Sequence, residues 1–259
     1  MAQRSIIRTE AVVLRSVNYG ETSQIVTLFT REKGKLGVMA KGARRPKSSF
    51  GATLQPMAYT QVVFYFKPTR TLQTLSESSH AESFHRLREE LTRITVGLRI
   101  VELVDALMEE EDPQPDVFAL LVRALHRLNT AEARVSNLWP YVQLQLARVL
   151  GVAPAVKRER VEAVTGDEGV LSLVDGGVYP SEASPEKPRR ASREALRAYA
   201  TCARADLDTV TRLEMPLPVQ REVESLVRDF LRYQFGDAYP DRSRSVIAQI
   251  EGTAPSGPA

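Results

Sequence analysis

Ile25-Val26-Thr27-Leu28-Phe29-Thr30, then Arg31-Glu32-Lys33-Gly34, then Lys35-Leu36-Gly37-Val38-Met39-Ala40 is the stretch that decides the fold. Two runs rich in β-branched and apolar residues flank a short charged connection. Glycine stands where that connection needs positive φ, so the stretch predicts a tight β-hairpin. Working outward, Val12-Val13-Leu14 precedes it, and Val62-Val63-Phe64-Tyr65-Phe66 and Leu72-Gln73-Thr74-Leu75 follow. Turn signals separate these runs at Asn18-Tyr19-Gly20, Lys33-Gly34, Gly42 to Pro46, and Lys67-Pro68-Thr69. Five short strands within residues 1–82 predict a small barrel.

Beyond residue 82 the period changes. Phe84, Leu87, Leu91, Ile94, Leu98, Val101 and Met108 step mostly by threes and fours, which predicts one face of a long amphipathic helix. It runs into Glu109-Glu110-Glu111-Asp112-Pro113. Consecutive carboxylates point in different directions on a helix and a proline follows, so a solvated helix end is the better reading than an active-site cluster. Further helices are expected over about 115–130, 136–150 (with Gly151 as its stop), 192–208 (with Ser192 as its N-cap and Glu194 near it) and 217–235. Glycines and prolines break the pattern over 160–190, where Val170 to Val174 reads as a short strand in a small hairpin-like insert. The Gly/Pro/Ser/Ala-rich tail from about residue 250 is expected to be disordered.

Among 259 residues, 43% are apolar, enough for a sizeable core. No apolar run approaches the roughly 20 residues that span a bilayer. The start, Met1 to Ile7, lacks the features of a signal peptide, so a cytoplasmic, nucleoid-associated protein with no membrane partner is expected. The single cysteine, Cys202, permits no intramolecular disulfide and no multi-cysteine zinc site, and it reads as a buried small residue on a helix. His80, His85 and His126 have no ligand-like spacing, so no metal and no cofactor are expected.

Net charge is only +3, yet it is unevenly spread. Residues 1–80 hold 12 Lys/Arg against 4 Asp/Glu, while residues 81–259 hold 23 against 28. The basic excess concentrates at Arg31, Lys33, Lys35, Lys41, Arg44, Arg45 and Lys47, with Glu32 the one acid among them. Cations on a rigid barrel attract phosphate by releasing counterions, and Arg forks onto phosphate oxygens, so this run is the candidate nucleic-acid surface. Gly42, Ser48 and Ser49 allow close approach of backbone and hydroxyl donors. Phe50, Tyr59, Tyr65 and Phe66 are candidate stacking platforms, although each taken singly reads more readily as core. A solvated loop conferring solubility is the competing reading of the charges. No P-loop, G-x-S-x-G or H-E-x-x-H motif occurs, so the chain is expected not to be an enzyme. The alternatives are an RNA-binding barrel protein and, behind it, a metal-dependent nuclease hidden among the carboxylates.

The sequence resembles the RecO family of bacterial DNA repair and recombination mediators. The likeness is carried by Ala11 to Arg15, Tyr19-Gly20-Glu21-Thr22-Ser23, Ile25 to Thr30, Gly34-Lys35, Ala40 to Ser48 and Leu54-Gln55-Pro56. At lower specificity it extends to Leu144–Pro154, Phe230–Gly236 and Arg242–Arg244. The resemblance implies an α+β protein: an OB-fold DNA-binding domain over 1–82, then a helical domain over 83–259 with a zinc-finger-like insert at about 160–190. It implies binding of single- and double-stranded DNA and annealing of complementary strands. It also implies action with RecR, and in many bacteria RecF, to help RecA replace SSB. Lys35, Lys41, Arg44, Arg45 and Lys47 match the family's DNA-binding face, and Arg189-Arg190 after the insert are candidates to extend it. For the acidic C-terminal tail of SSB, which needs an apolar groove with a cation, the candidates are Arg123, Arg127, Arg134 and Arg148, each also readable as a solubilising charge. One departure matters: where the family insert often carries four cysteines, this chain has Glu162, Thr165, Pro180 and Ala183. The insert is therefore expected to be degenerate, free of zinc, and held by packing of Val170, Leu171, Leu173, Val178 and Tyr179.

Overall fold

A computed structural model describes residues 5–240; the tail from about 250, Arg242–Arg244 and Met1 to Arg4 lie outside the described residues. Five strands, β1 (Ser5–Tyr19), β2 (Ser23–Thr30), β3 (Gly34–Ala40), β4 (Tyr59–Phe66) and β5 (Leu72–Glu82), close into a barrel. Their order is β1-β2-β3-β5-β4, with β3 and β5 parallel and every other pair antiparallel. Strand β1 is long enough to serve two neighbours. Its first half pairs with β4, its second half with β2, and the register shifts between Val13 and Arg15. Period-2 alternation sends Val13, Val26, Leu28, Leu36, Val38, Val62, Phe64 and Leu75 into the barrel interior, where Phe50 and Leu54 close one end.

The helical part follows as α1 (Leu91–Leu107), α2 (Pro115–Thr130), α3 (Leu138–Val149), α4 (Arg158–Glu162), α5 (Arg193–Arg204), α6 (Leu207–Arg212) and α7 (Leu217–Phe235). A second apolar core joins these helices to the outer wall of the barrel through Val12, Leu14, Phe29 and Met57. Phe29 meets Phe118 of α2 at 6.1 Å between ring centroids, and Tyr59 stacks on Phe84 at 6.5 Å. Among the described residues no helix is long and apolar enough to cross a membrane.

Four sequence expectations need correction. The helix expected from Phe84 starts only at Leu91, because Glu90 is extended and Phe84 and Leu87 are buried in the preceding segment. Its apolar stripe is also only partly its buried face: Val101 is buried and Ile94 half-buried. Leu91 and Leu98 are exposed, whereas Val96, Gly97, Ile100, Leu103 and Val104 pack inward. Gly97 marks that side, since a β-carbon there would meet the Met57 sulfur at 2.4 Å.

The helix expected over 192–208 ends at Arg204, and α6 begins a new one capped by the Asp206 carboxylate. Ser192 does cap α5, accepting from the Ala195 amide at 3.2 Å. In place of a hairpin, the insert is a three-stranded sheet of order β7-β6-β8, formed by β6 (Glu168–Ser172), β7 (Val178–Pro180) and β8 (Pro188–Ser192). Val170, Leu171 and Val178 are buried in it. Tyr179 and Leu173 are half-buried.

Candidate nucleic-acid interface

After β3 the chain enters the segment that carries most of the basic run. Three bonds tie it to itself: the Ala43 amide donates to Ala40 O at 3.4 Å, Arg45 to Gly42 O at 3.1 Å and Ser48 to Arg45 O at 2.9 Å. Gly42, at φ +74°, permits the first of these turns. Two more bonds pin the segment to the β1–β2 turn. The Arg44 amide donates to Thr22 O at 2.9 Å, and the Arg44 guanidinium donates to Gly20 O at 3.0 Å. Beyond Ser49, Phe50 is sunk into the barrel core. The segment is thus held at its middle and its end, and Lys41, Arg44, Arg45 and Lys47 all stand exposed on it. The Arg44 bond goes to a neutral carbonyl, so its charge stays available.

The other barrel cations are placed differently. Arg31 is exposed but paired with Glu10 at 3.0 Å. Lys33 is half-buried with its ammonium 5.2 Å from the centroid of the Phe66 ring. Lys35 departs from the expectation: its side chain is only 12% exposed, and its ammonium donates to the Asp105 carbonyl oxygen at 2.7 Å and lies 3.8 Å from the Asp105 carboxylate. The cause is the chain after α1, which adds to the edge of β3. The Glu111 amide donates to Lys35 O at 2.8 Å, so the barrel–helix junction covers this lysine.

The aromatic platforms are corrected as well. Phe66 belongs to the barrel core by strand parity, and Phe50 is buried in the same core from the connection between β3 and β4. Tyr59 is held in the barrel–helix junction, with its hydroxyl donating to Glu10 at 2.7 Å. That bond draws Glu10 below the usual carboxylate range, while burial, followed by the Glu10 bond, pushes the Tyr59 phenol up to about 12. Tyr65 is half-buried. The aromatic exposed beside the basic segment is Tyr19, at 56%, on the turn to which Arg44 is bonded. Sequence reading took it for a turn residue, because nothing in its spacing shows that β1 and β2 run past the barrel wall.

In the insert, Arg190 is exposed with its guanidinium 4.0 Å from the Glu168 carboxylate, while Arg189 pairs with Asp229 of α7 at 3.1 Å. Of the four arginines on or between the first-half helices, Arg123 is exposed; Arg127 pairs with Asp208 at 2.8 Å, Arg134 with Glu214, and Arg148 donates to Ala203 O. His126 meets Glu82 at 2.9 Å, and burial lowers His80, with Arg88 and His85 adding to the effect. Cys202 is buried and its thiol is pushed up to about 12, which makes it a poor nucleophile. Among the described residues no group of three His, Cys, Asp or Glu is placed to hold a metal ion.

A closed five-stranded barrel of OB topology with a pinned cationic segment, backed by a helical bundle, defines the class of protein. Residues 1–84 match the family profile of Recombination protein O N terminal, and residues 88–244 match that of Recombination protein O C terminal. The chain belongs to the RecO family. It is 84% identical over 256 residues to the DNA repair protein RecO of Salinibacter ruber, covering 99% of this chain and 98% of that one. The DNA repair protein RecO of Chloroherpeton thalassium is 28% identical over 256 residues, covering 95% of this chain and 99% of the relative. That of Bacillus subtilis is 37% identical over 150 residues, 58% of this chain and 57% of the relative.

Proposed function

We propose that this protein is a non-catalytic, cytoplasmic DNA-binding mediator of recombinational repair. It binds single- and double-stranded DNA through the barrel of residues 1–82 and anneals complementary strands. With RecR, and RecF where present, it helps RecA displace SSB. The observation that carries this reading is the exposed set Lys41, Arg44, Arg45 and Lys47 on a segment bonded to the Gly20 turn. A pinned cluster of cations loses little freedom when it meets phosphate, so its counterion release is available as affinity. Tyr19 beside it offers a face for an unpaired base. Arg190 lies on a separate element and adds a second positive point for a long ligand. Lys35, committed to Asp105, is left out of the DNA-contacting set.

The helical domain of residues 83–259 carries the protein contacts in this reading. Arg123, exposed on α2, is the remaining candidate cation for the SSB tail. The insert at about 160–190 stands as a relic of a zinc finger whose place is taken by packing and hydrogen bonds.

The test is annealing of complementary strands coated with SSB. Faster annealing in the presence of the protein is expected, and no acceleration would remove the mediator reading. A competing RNA of equal length that displaces DNA at equal concentration would favour the RNA-binding alternative. Divalent-metal-dependent cleavage of the strands would favour the nuclease.

A further inference from the structure

On the outer wall of the barrel, a groove of about 540 Å³ opens between β1, β4 and β5 and reaches the end of the basic segment. It is lined by Arg8, Ser49, Gln61, Val63, Glu77, Ser78 and Ser79. Its volume falls within the about 300–1,000 Å³ of small-ligand sites. Ser49 joins it directly to the segment that carries Lys41 to Lys47.

The registers order the lining. Arg8 stands opposite Val63, and Val63 opposite Glu77, so a cation, an apolar floor and an anion lie in one row across three strands. Two strand spacings make that row about 10 Å long. Glu10, Gln61 and Ser79 form the next row, in which Glu10 is taken up by Arg31, by the Tyr59 hydroxyl and by the Gln61 amide at 3.5 Å. Arg8 and Glu77 are exposed, and neither is in an ion pair among the described residues.

We propose that this groove seats one unpaired nucleotide of the DNA strand held by the basic segment. The phosphate lies on Arg8 at the β1 end of the row, the base lies over Val63, and Glu77 and the Ser79 hydroxyl meet the base edge at the β5 end. The proposal rests on the DNA-binding reading above and gives it a strand preference. In a duplex each base is stacked and paired, so it cannot turn out to lie over Val63 with its pairing edge on Glu77. In a single strand a carboxylate accepts from the amino group of cytosine, whereas thymine presents no amino group. The groove therefore selects unpaired over paired DNA, and oligo(dC) over oligo(dT).

The experiment is fluorescence anisotropy with oligo(dC), oligo(dT) and a duplex of equal length, over a salt series. Arg8→Ala is expected to weaken both single strands, lower their salt slope by about 0.7 for the one lost phosphate contact, and leave the duplex unchanged. Arg8→Lys is expected to retain most of the single-strand affinity. Glu77→Gln is expected to abolish the preference for oligo(dC). Equal loss on single strand and duplex, or no loss on either, would overturn the groove while leaving the basic segment standing. A wild-type protein that binds none of the three would overturn both readings.

Discussion

Gly34 begins β3 at φ +63°, and the chain after α1 is laid against it so closely that a β-carbon would stand 2.1 Å from the Asp112 carbonyl oxygen. The same glycine that turns the β2–β3 hairpin thus admits the helical part to the barrel edge. Gly34→Ala meets both a strained φ and a backbone contact that no rotamer relieves, and is expected to cost about 2–3 kcal/mol by urea denaturation. A change below a few tenths of a kcal/mol would show that the edge contact is dispensable. Tyr59 gives a second test at this scale. Its phenol is raised from 10 to about 12, so its contribution is fully present below pH 10 and is lost as pH rises from 10 to 12. Tyr59→Phe keeps the ring against Phe84 and removes the bond to Glu10. It should cost about 1 kcal/mol at neutral pH and show a shallower loss of stability between pH 10 and 12 than the wild type. Parallel curves over that window would contradict the assignment.

The insert sheet is held at element scale by a short polar chain. Burial alone would raise Asp175, yet bonds from the Tyr179 hydroxyl at 2.7 Å and the Gly177 amide at 2.9 Å outweigh it and lower the carboxyl. The Arg160 guanidinium lies 4.4 Å from the centroid of the Tyr179 ring and donates to its hydroxyl, tying α4 to β7. With Glu162, Thr165, Pro180 and Ala183 where thiolates would be needed, and this polar chain beside them, stability is expected to be indifferent to chelators. Unchanged thermal melting in excess EDTA checks this, and a fall in Tm would contradict it. Tyr179→Phe is expected to cost about 1 kcal/mol.

Elements were unevenly legible in the sequence. The barrel strands stood out because β-branched runs alternate with turn residues. The buried face of α1 did not, because Leu91, Ile94 and Leu98 make an apolar stripe on one side while Val96, Ile100 and Leu103 make another, and only tertiary packing chooses between them. The third strand of the insert was hidden for the same reason, since Pro188–Ser192 is polar and forms β8 by pairing with Glu168–Ser172.

At the scale of the whole molecule, the cations were legible but their assignments were not. Arg44 and Lys35 look alike in sequence; one is bonded to a neutral carbonyl on an exposed turn, the other to an aspartate 70 residues away. That distinction divides the barrel's charge between an exposed segment, the one proposed to meet DNA, and a junction that fixes the barrel on the helices. It also explains how a chain of net charge +3 offers phosphate a concentrated positive surface. The most direct test of this account is single-stranded DNA binding by anisotropy across a salt series, comparing the wild type with Lys41→Ala/Arg44→Ala/Arg45→Ala. The expected result is weaker binding at low salt and a log–log salt slope flatter by about 2, near 0.7 for each lost phosphate contact. Unchanged affinity and slope would place DNA on another face of the protein.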